Sequence, residues 1–367
     1  MKEKKYTCDI CHEEHDLSEL TYFDESYLCE DCLRRETFIC RDCGDRHWND
    51  DSADGDLCQT CYDEDYVRCE RCDAVIHYDD ACYHEDEEYH DHPYCRDCFD
   101  MDEIIHDYYY KPEPIFYGDG PRYLGVELEL DDGGENEFCA SKLLEIANNG
   151  CERMYIKHDG SLDDGFECVT HPMTLDYHIN QMPWRAILNK AVAKGYLSHQ
   201  AGTCGLHVHI SRNALGVNYE EQEATIAKIL YFYEKFWNEI LTFSRRTESQ
   251  AEHWARRYGG GIINPKETLK HAKNSHMGRY AAVNLENEAT IEMRIFRGTL
   301  KYNTFIATLQ MVDEICKVAI SLSDEFMQGL TWLDFVKGIA DGKQELINYL
   351  KEKRLYVNEP IRNEVEI

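Results

Sequence analysis

Six C-x-x-C pairs fall within the first hundred residues, and they limit what the chain can fold into more than any other feature: Cys8/Cys11, Cys29/Cys32, Cys40/Cys43, Cys58/Cys61, Cys69/Cys72 and Cys95/Cys98. They form three successive repeats, "CDICHEEHDLSELTYFDESYLCEDC", "CRDCGDRHWNDDSADGDLCQTC" and "CERCDAVIHYDDACYHEDEEYHDHPYCRDC", with seven residues between one repeat and the next. Such periodicity marks a tandem array. One C-x-x-C offers two thiolates to an ion, and a second completes the tetrahedron that zinc prefers. The expectation is three structural zinc ions, each held by four cysteines; spacing alone leaves open a cross-braced pairing in which alternate C-x-x-C units share an ion. His15, His47 and His77 follow the first pair of each repeat and are read as packing residues beside the sulfurs. Cys82, His84, His90 and His92 are surplus to the tetrads and are read as solvated loop residues. Segments this short cannot fold on apolar burial alone, so metal binding supplies the folding energy.

Disulfides fit this pattern poorly. The opening "MKEKKYTCDICHEEHD" lacks the apolar core of a secretory signal, and a reducing cytosol would break such bridges. No apolar run approaches the roughly 18 residues a membrane span needs, so a cytoplasmic protein without a membrane partner is expected. The net charge is −32, of which roughly 24 charges lie before residue 111. A field this negative argues against nucleic acid, whose affinity comes from Lys and Arg on phosphates. Four-thiolate zinc sites would make the first segment more acidic still, which suits recognition of a partner or substrate with a basic surface.

The cysteine array is expected to occupy residues 1–106, followed by a Pro- and Gly-rich linker at 107–121. A second domain follows over 122–322, then a helical extension over 323–367. Within it, hydrophobic periodicity predicts strands at 122–130, 153–158, 165–170, 205–211, 279–285 and 290–297. Helices are expected at 137–148, 183–195, 219–243 and 303–322, with two short ones in the tail. The alternation suggests an α+β fold in which helices cover one face of a mostly antiparallel sheet.

The strands share a pattern that bears on function. In "GVELEL" the side chains alternate, so Val126 and Leu128 share one face while Glu127 and Glu129 stand together on the other. "CGLHVHIS" sets Leu206, Val208 and Ile210 against His207, His209 and Ser211, and "TIEMRIFRG" sets Ile291, Met293 and Ile295 against Glu292 and Arg294. "GFECVTHP" places Glu167 between Phe166 and Cys168. A polar face on a half-exposed sheet is ordinary, but a solvent face normally mixes Lys, Ser and Thr with its acids and pairs opposite charges across strands. Here Glu and His dominate and Lys is absent from these positions. Magnesium or manganese, which take carboxylate oxygens and substrate phosphates, would turn the repulsion between such glutamates into attraction. Arg245, Arg246, Arg256, Arg257, Arg279, Arg294 and Arg297 could clamp phosphates. No Walker-type loop and no G-x-S-x-G is present, and Cys204 reads as a small buried residue rather than a nucleophile.

Taken in order, "YLGVELEL", "KHDGSLDDGFECVTHP", "CGLHVHIS", "RYAAVNL" and "TIEMRIFRGTL" resemble the amidoligase family of carboxylate–amine ligases, a group similar in fold to glutamine synthetase and glutamate–cysteine ligase. The resemblance covers about residues 122 to 310. It implies a glutamine synthetase-like sheet, ATP and magnesium or manganese as cofactors, and carboxylate and amine substrates, small or carried on a peptide or protein. It implies Glu127, Glu129, Glu167, His207 and Glu292 as magnesium ligands and Arg294 as a phosphate or intermediate contact. His209 and Ser211 would lie near nucleotide or substrate, and Arg245, Arg246, Arg279 and Arg297 near the phosphates. Cys168 and Thr170 stand where relatives carry aliphatic and serine residues, and the base that deprotonates the amine has no counterpart. The cysteine repeats resemble LIM-like or treble-clef ribbons and lie outside the ligase resemblance. Two rival readings stay open: a metal-dependent hydrolase, which would turn over without nucleotide, and a zinc-based interaction protein with no enzymatic activity.

Overall fold

The computed structural model describes residues 5–83, 92–99, 104–259, 264–275 and 277–357. The chain divides into two units, Met1–Asp102 and Glu103–Ile367. His84 and His90 lie outside the described residues.

In the first unit the repeat is a structural unit as well as a sequence one. Each leading C-x-x-C sits at the turn of a small antiparallel hairpin: Cys8/Cys11 between Tyr6–Thr7 and Glu14–His15, Cys40/Cys43 between Thr37–Ile39 and Arg46–Trp48, and Cys69/Cys72 between Tyr66–Arg68 and Val75–His77. The second C-x-x-C opens a helix, with Cys29 at the N-cap of Glu30–Glu36 and Cys58 at that of Gln59–Asp65. That helix runs directly into the next hairpin, which explains the seven-residue spacing. Each unit's apolar core is minute: Leu28 with Cys8, Cys29 and Cys32 in the first, and Leu57 with Cys40, Cys58 and Cys61 in the second.

The second unit is α+β. Its seven strands among the described residues are β1 (Ile105–His106), β2 (Leu124–Leu130), β3 (Met154–Lys157), β4 (Phe166–Thr170), β5 (Leu206–Ser211), β6 (Val283–Asn284) and β7 (Thr290–Met293), in the order β1-β3-β4-β2-β5-β7-β6. Every pairing is antiparallel except β1 with β3. Ile105 and His106, expected at the end of the cysteine array, therefore belong to this sheet. The expected linker is also docked, since Tyr117 donates its amide to Pro172 and accepts from Thr174.

The helices are α1 (Glu137–Asn148), α2 (Leu175–Asn180), α3 (Trp184–Ala193), α4 (Tyr219–Lys235), α5 (Trp237–Ser244), α6 (Glu248–Trp254), α7 (Pro265–Asn274), α8 (Tyr302–Ser321), α9 (Asp324–Gly329), α10 (Trp332–Lys337) and α11 (Gln344–Glu352). Asn136, Asn218 and Asn264 cap α1, α4 and α7 by accepting amides in their first turns. The single helix expected over 219–243 is two, because Phe236 leaves helical dihedrals between α4 and α5. The expected strand at 279–285 shrinks to two residues, its start taken by a short 3-10 turn at Gly278–Tyr280. Among the described residues the tail carries three helices rather than two, and Gln310 of α8 holds α11 by accepting the Leu346 amide.

One buried cluster joins the apolar sheet face, including Val126, Leu128, Phe166, Val208 and Met293, to Ile226, Phe305 and Leu309 of the helices. This fixes the register. A one-residue slip would bury the glutamates in that core. His178 of α2 sits beneath β2, with Nε2 donating to the Leu124 carbonyl and Nδ1 accepting from Trp184 Nε1.

Candidate functional site

The strand register gathers the acidic and imidazole residues on the face opposite the core. Glu129 lies across from Glu167, Glu127 across from His207, and His209 across from Glu292. These side chains come from four adjacent strands, β4, β2, β5 and β7. His207 Nδ1 is 3.3 Å from Glu127 Oε2 and 3.6 Å from Glu292 Oε1, and its Nε2 is 3.6 Å from Glu129 Oε1. His209 Nε2 lies 3.0 Å from Glu127 Oε1. The donor atoms of Glu127, His207 and Glu292 all lie within 4.8 Å of one another, close enough to share one ion. Ser211 continues the same face opposite Thr290.

Burial makes the arrangement unusual for a polar sheet face. Glu129, Glu167, His207 and Glu292 are all buried. Burial raises the Glu129 pKa, and burial with the Glu127 carboxylate second raises that of Glu167 well above the usual range. For Glu127 burial pushes the same way but is outweighed by the His209 and His207 rings, so its carboxyl is held well below the ordinary value. Burial disfavours the charged form of His209, yet Glu127 raises its pKa. Arg294, 2.5 Å from Glu292 Oε1, is held charged in the same way against its burial.

Several residues that complete the site escaped the sequence reading. Lys157 of β3 lies 3.1 Å from Glu167 Oε2, so a lysine does serve this face from the neighbouring strand. Reading β3 for its alternation, as the other strands were read, would have found it. Asn284 of β6 donates to Glu292 Oε2 at 2.9 Å, and Thr290 Oγ1 is 3.2 Å from His209 Nδ1. Gly205 donates its amide to Glu129 and makes room for the neighbouring imidazole: a Cβ there would stand 2.3 Å from His207 Nε2. Asp159, in the loop after β3, adds negative charge that raises both Glu129 and Glu167.

The arginines divide. Arg246 is buried, donates Nε to the Ile295 carbonyl and has its pKa lowered by burial to about 10. Its Nη1 has no partner among the described residues, and the same holds for the Nε atoms of Arg294 and Arg297. The Glu129 carboxylate acts on Arg246, and Arg294 pairs with Glu292, which sets these two guanidinium groups beside the acidic row; Arg297 and Arg245 also act on Arg246. Arg279 donates to the Tyr108 hydroxyl at 2.6 Å, so the segments after β1 and before β6, at opposite edges of the sheet, meet there. They line a cavity of about 760 Å³ with Trp254, Arg256, Tyr280 and Asp159. Arg257 is taken up by buried Glu234 at 2.9 Å. Arg245 points to a different cavity, donating to the Arg297 carbonyl and to the Tyr349 hydroxyl. Cys204 is fully buried with its thiol pushed up by burial to about 12, which removes it as a nucleophile.

In the first unit the sulfurs assemble from consecutive pairs: Cys8, Cys11, Cys29 and Cys32; Cys40, Cys43, Cys58 and Cys61; Cys69, Cys72, Cys95 and Cys98. Within each group they lie within 4.8 Å of one another, which fits three zinc ions and disfavours cross-bracing. Backbone amides aimed at the sulfurs outweigh burial at Cys8 and Cys40 and bring both thiols down to about 6, while burial pushes Cys32 up to about 12 and raises Cys61 and Cys98. His47 lies 3.6 Å from the Cys43 sulfur, and His77 stacks edge-on against Tyr66. Cys82 pairs through its backbone with Tyr94.

A largely buried set of oxygen and nitrogen donors beside guanidinium groups that each keep an unpartnered nitrogen is the class of site that can hold divalent cations against phosphate. Residues 147–316, a little under half of the chain, match the family described as "Putative amidoligase enzyme". No curated protein matches the chain. Among solved structures, a bifunctional glutathione synthetase from Pasteurella multocida aligns at 13% identity and a TM-score of 0.32, over 65% of this chain and 45% of its own length. At that score the likeness carries no argument, and the chain spans less than half of that protein. No helix among the described residues is long and apolar enough to cross a membrane.

Proposed function

We propose that the second unit is an ATP-dependent carboxylate–amine ligase and that the cysteine modules present it to a partner or substrate. The observation that carries this reading is the row of Glu127, Glu129, Glu167, His207 and Glu292 on one sheet face, all but Glu127 buried, flanked by Arg246, Arg294 and Arg297 with unpartnered nitrogens. The row fits magnesium or manganese because its donors are hard and its carboxylates repel one another when empty of cation. A bound divalent ion would neutralise the nucleotide phosphates. The guanidinium groups of Arg246, Arg294 and Arg297 would hold the charge that develops on the transferred phosphoryl group. His209, pinned by Thr290, and Ser211 lie along the same face to orient nucleotide or substrate. The cavity lined by Tyr108, Trp254 and Tyr280 suits a planar base.

In the reaction a carboxylate oxygen attacks the γ-phosphorus and the bond to the β-phosphate oxygen breaks, releasing ADP. The amine then attacks the acyl carbon, phosphate leaves and the amine loses a proton, giving an amide or isopeptide. Glu127, kept ionised by its two imidazole neighbours, is suited to ligation and unsuited to acid catalysis. The purified protein should release ADP and phosphate only when ATP, magnesium or manganese, a carboxylate and an amine are all present. Full activity in a Glu127→Gln/Glu129→Gln double variant would refute the role of the row. Turnover without nucleotide would favour a hydrolase.

A further inference from the structure

A second cavity, of about 590 Å³, shares no lining residue with the aromatic one. It is bordered by His199, Arg245, Lys301, Tyr349, Glu352 and Lys353. In a chain of net charge −32 this is an unexpected concentration of basic groups. Its one acidic neighbour, Glu352, is 3.1 Å from Lys301, so the remaining cations face the cavity without a countercharge from its walls.

Three features indicate that the wall is built for an anion. Arg245 Nε and His199 Nδ1 are buried with no hydrogen-bond partner among the described residues, and each such atom costs free energy until a ligand satisfies it. His199 is held below its ordinary pKa by burial and then by Arg297, Arg245 and Lys353, so these four groups crowd one another. The 20-residue helix α8 begins at this wall, through Thr299, Lys301 and Thr304, with no capping side chain and no acidic residue in its first turn. Its open amides and dipole add to the positive potential. Arg245 itself ends α5 in a left-handed conformation, φ 69°, where glycine or asparagine is usual.

We propose that this cavity binds a small oxyanion, a phosphoryl or carboxylate group on a small molecule, held by Arg245, His199, Lys353 and the first turn of α8. None of the arginines we assign to the nucleotide phosphates, Arg246, Arg294 and Arg297, lines this cavity. The binding does not rest on the ligase reading; under that reading the anion is a distal charged group of the carboxylate or amine substrate.

The test uses the full chain without nucleotide or added divalent metal. Thermal unfolding is followed while sodium phosphate, or in a second arm sodium succinate, replaces potassium chloride at constant ionic strength. A saturable rise in Tm is expected with at least one of them, and the stronger arm identifies the oxyanion. Lys353→Met and Arg245→Met should each weaken that binding by about tenfold or more. Lys353 follows the last turn of α11, so its variant retains the fold, as circular dichroism would verify. No saturable rise with either anion, or a rise unchanged in both variants, overturns the proposal. So does competitive displacement by ATP with magnesium, which would make the cavity part of the nucleotide site. Failure of ATP to bind at all would defeat the ligase reading and leave the anion titration standing.

Discussion

His178 should make the second unit lose stability on mild acidification by an amount that can be worked out. It is fully buried, and burial pushes its pKa down to about 4, against 6.5 for the free side chain. Both ring nitrogens are committed to the neutral form: Nε2 donates to the Leu124 carbonyl and Nδ1 accepts from Trp184. A proton on Nδ1 would meet the indole N–H. The unfolded chain takes up this proton near pH 6.5 and the folded chain only near 4, so the stabilisation is complete above pH 6.5 and is lost as pH falls toward 4. The whole shift corresponds to about 3 kcal/mol, of which about 2 kcal/mol is gone by pH 5. The assay is urea unfolding of wild type and His178→Gln at pH 7.5 and pH 5. The variant lacks the titrating group, so the stability difference between the two proteins should shrink by about 2 kcal/mol at the lower pH, while losses from other groups cancel. A difference that stays constant between the two pH values would refute the reasoning. Since Leu124 begins the strand that carries Glu127 and Glu129, the result also reports on the support beneath the acidic row.

Other outcomes follow from the same geometry. Manganese at a hundredfold over its Kd should stabilise the wild type by about 2.7 kcal/mol, raising Tm by roughly 5–10 °C, and the Glu127→Gln/Glu129→Gln protein should show no rise; equal rises in both would remove these residues as ligands. Gly205→Ala drives a methyl group into His207 and should destabilise the unit by about 1–3 kcal/mol while weakening manganese binding; an unchanged Tm and an unchanged titration would contradict the close approach. Elemental analysis should find three zinc ions per chain, and Cys32→Ser should lower the count by one; a protein that folds fully after chelation, by near-UV circular dichroism, would refute metal-dependent folding of the repeats.

Much of the site was legible in the sequence because a strand's alternation is local. Glu127 and Glu129 had to share a face whatever the rest of the chain did, and so did His207 and His209. The C-x-x-C pairs were legible for a related reason, since each pair is local, but which pairs share an ion was not, because spacing also permits cross-bracing. What was missed depended on neighbours in space. Lys157 comes from a strand that pairs with β4 only after folding, and Asn284 reaches Glu292 from an edge strand of two residues. The break at Phe236 carries no proline or glycine to announce it.

By itself, then, the sequence determined which side chains lie together along each strand, since that follows from backbone geometry over a few residues; it left the pairing of the C-x-x-C units open, and the folded chain brings consecutive pairs together. Tertiary structure alone decided the strand order that sets Glu167 beside Glu129 and Glu292 beside His209. It also decided that Arg246 joins the acidic row while Arg245, the adjacent residue, faces another cavity. A left-handed turn at the end of α5 separates those two guanidinium groups, and only packing against Tyr349 and the Arg297 carbonyl could show where the turn sends them.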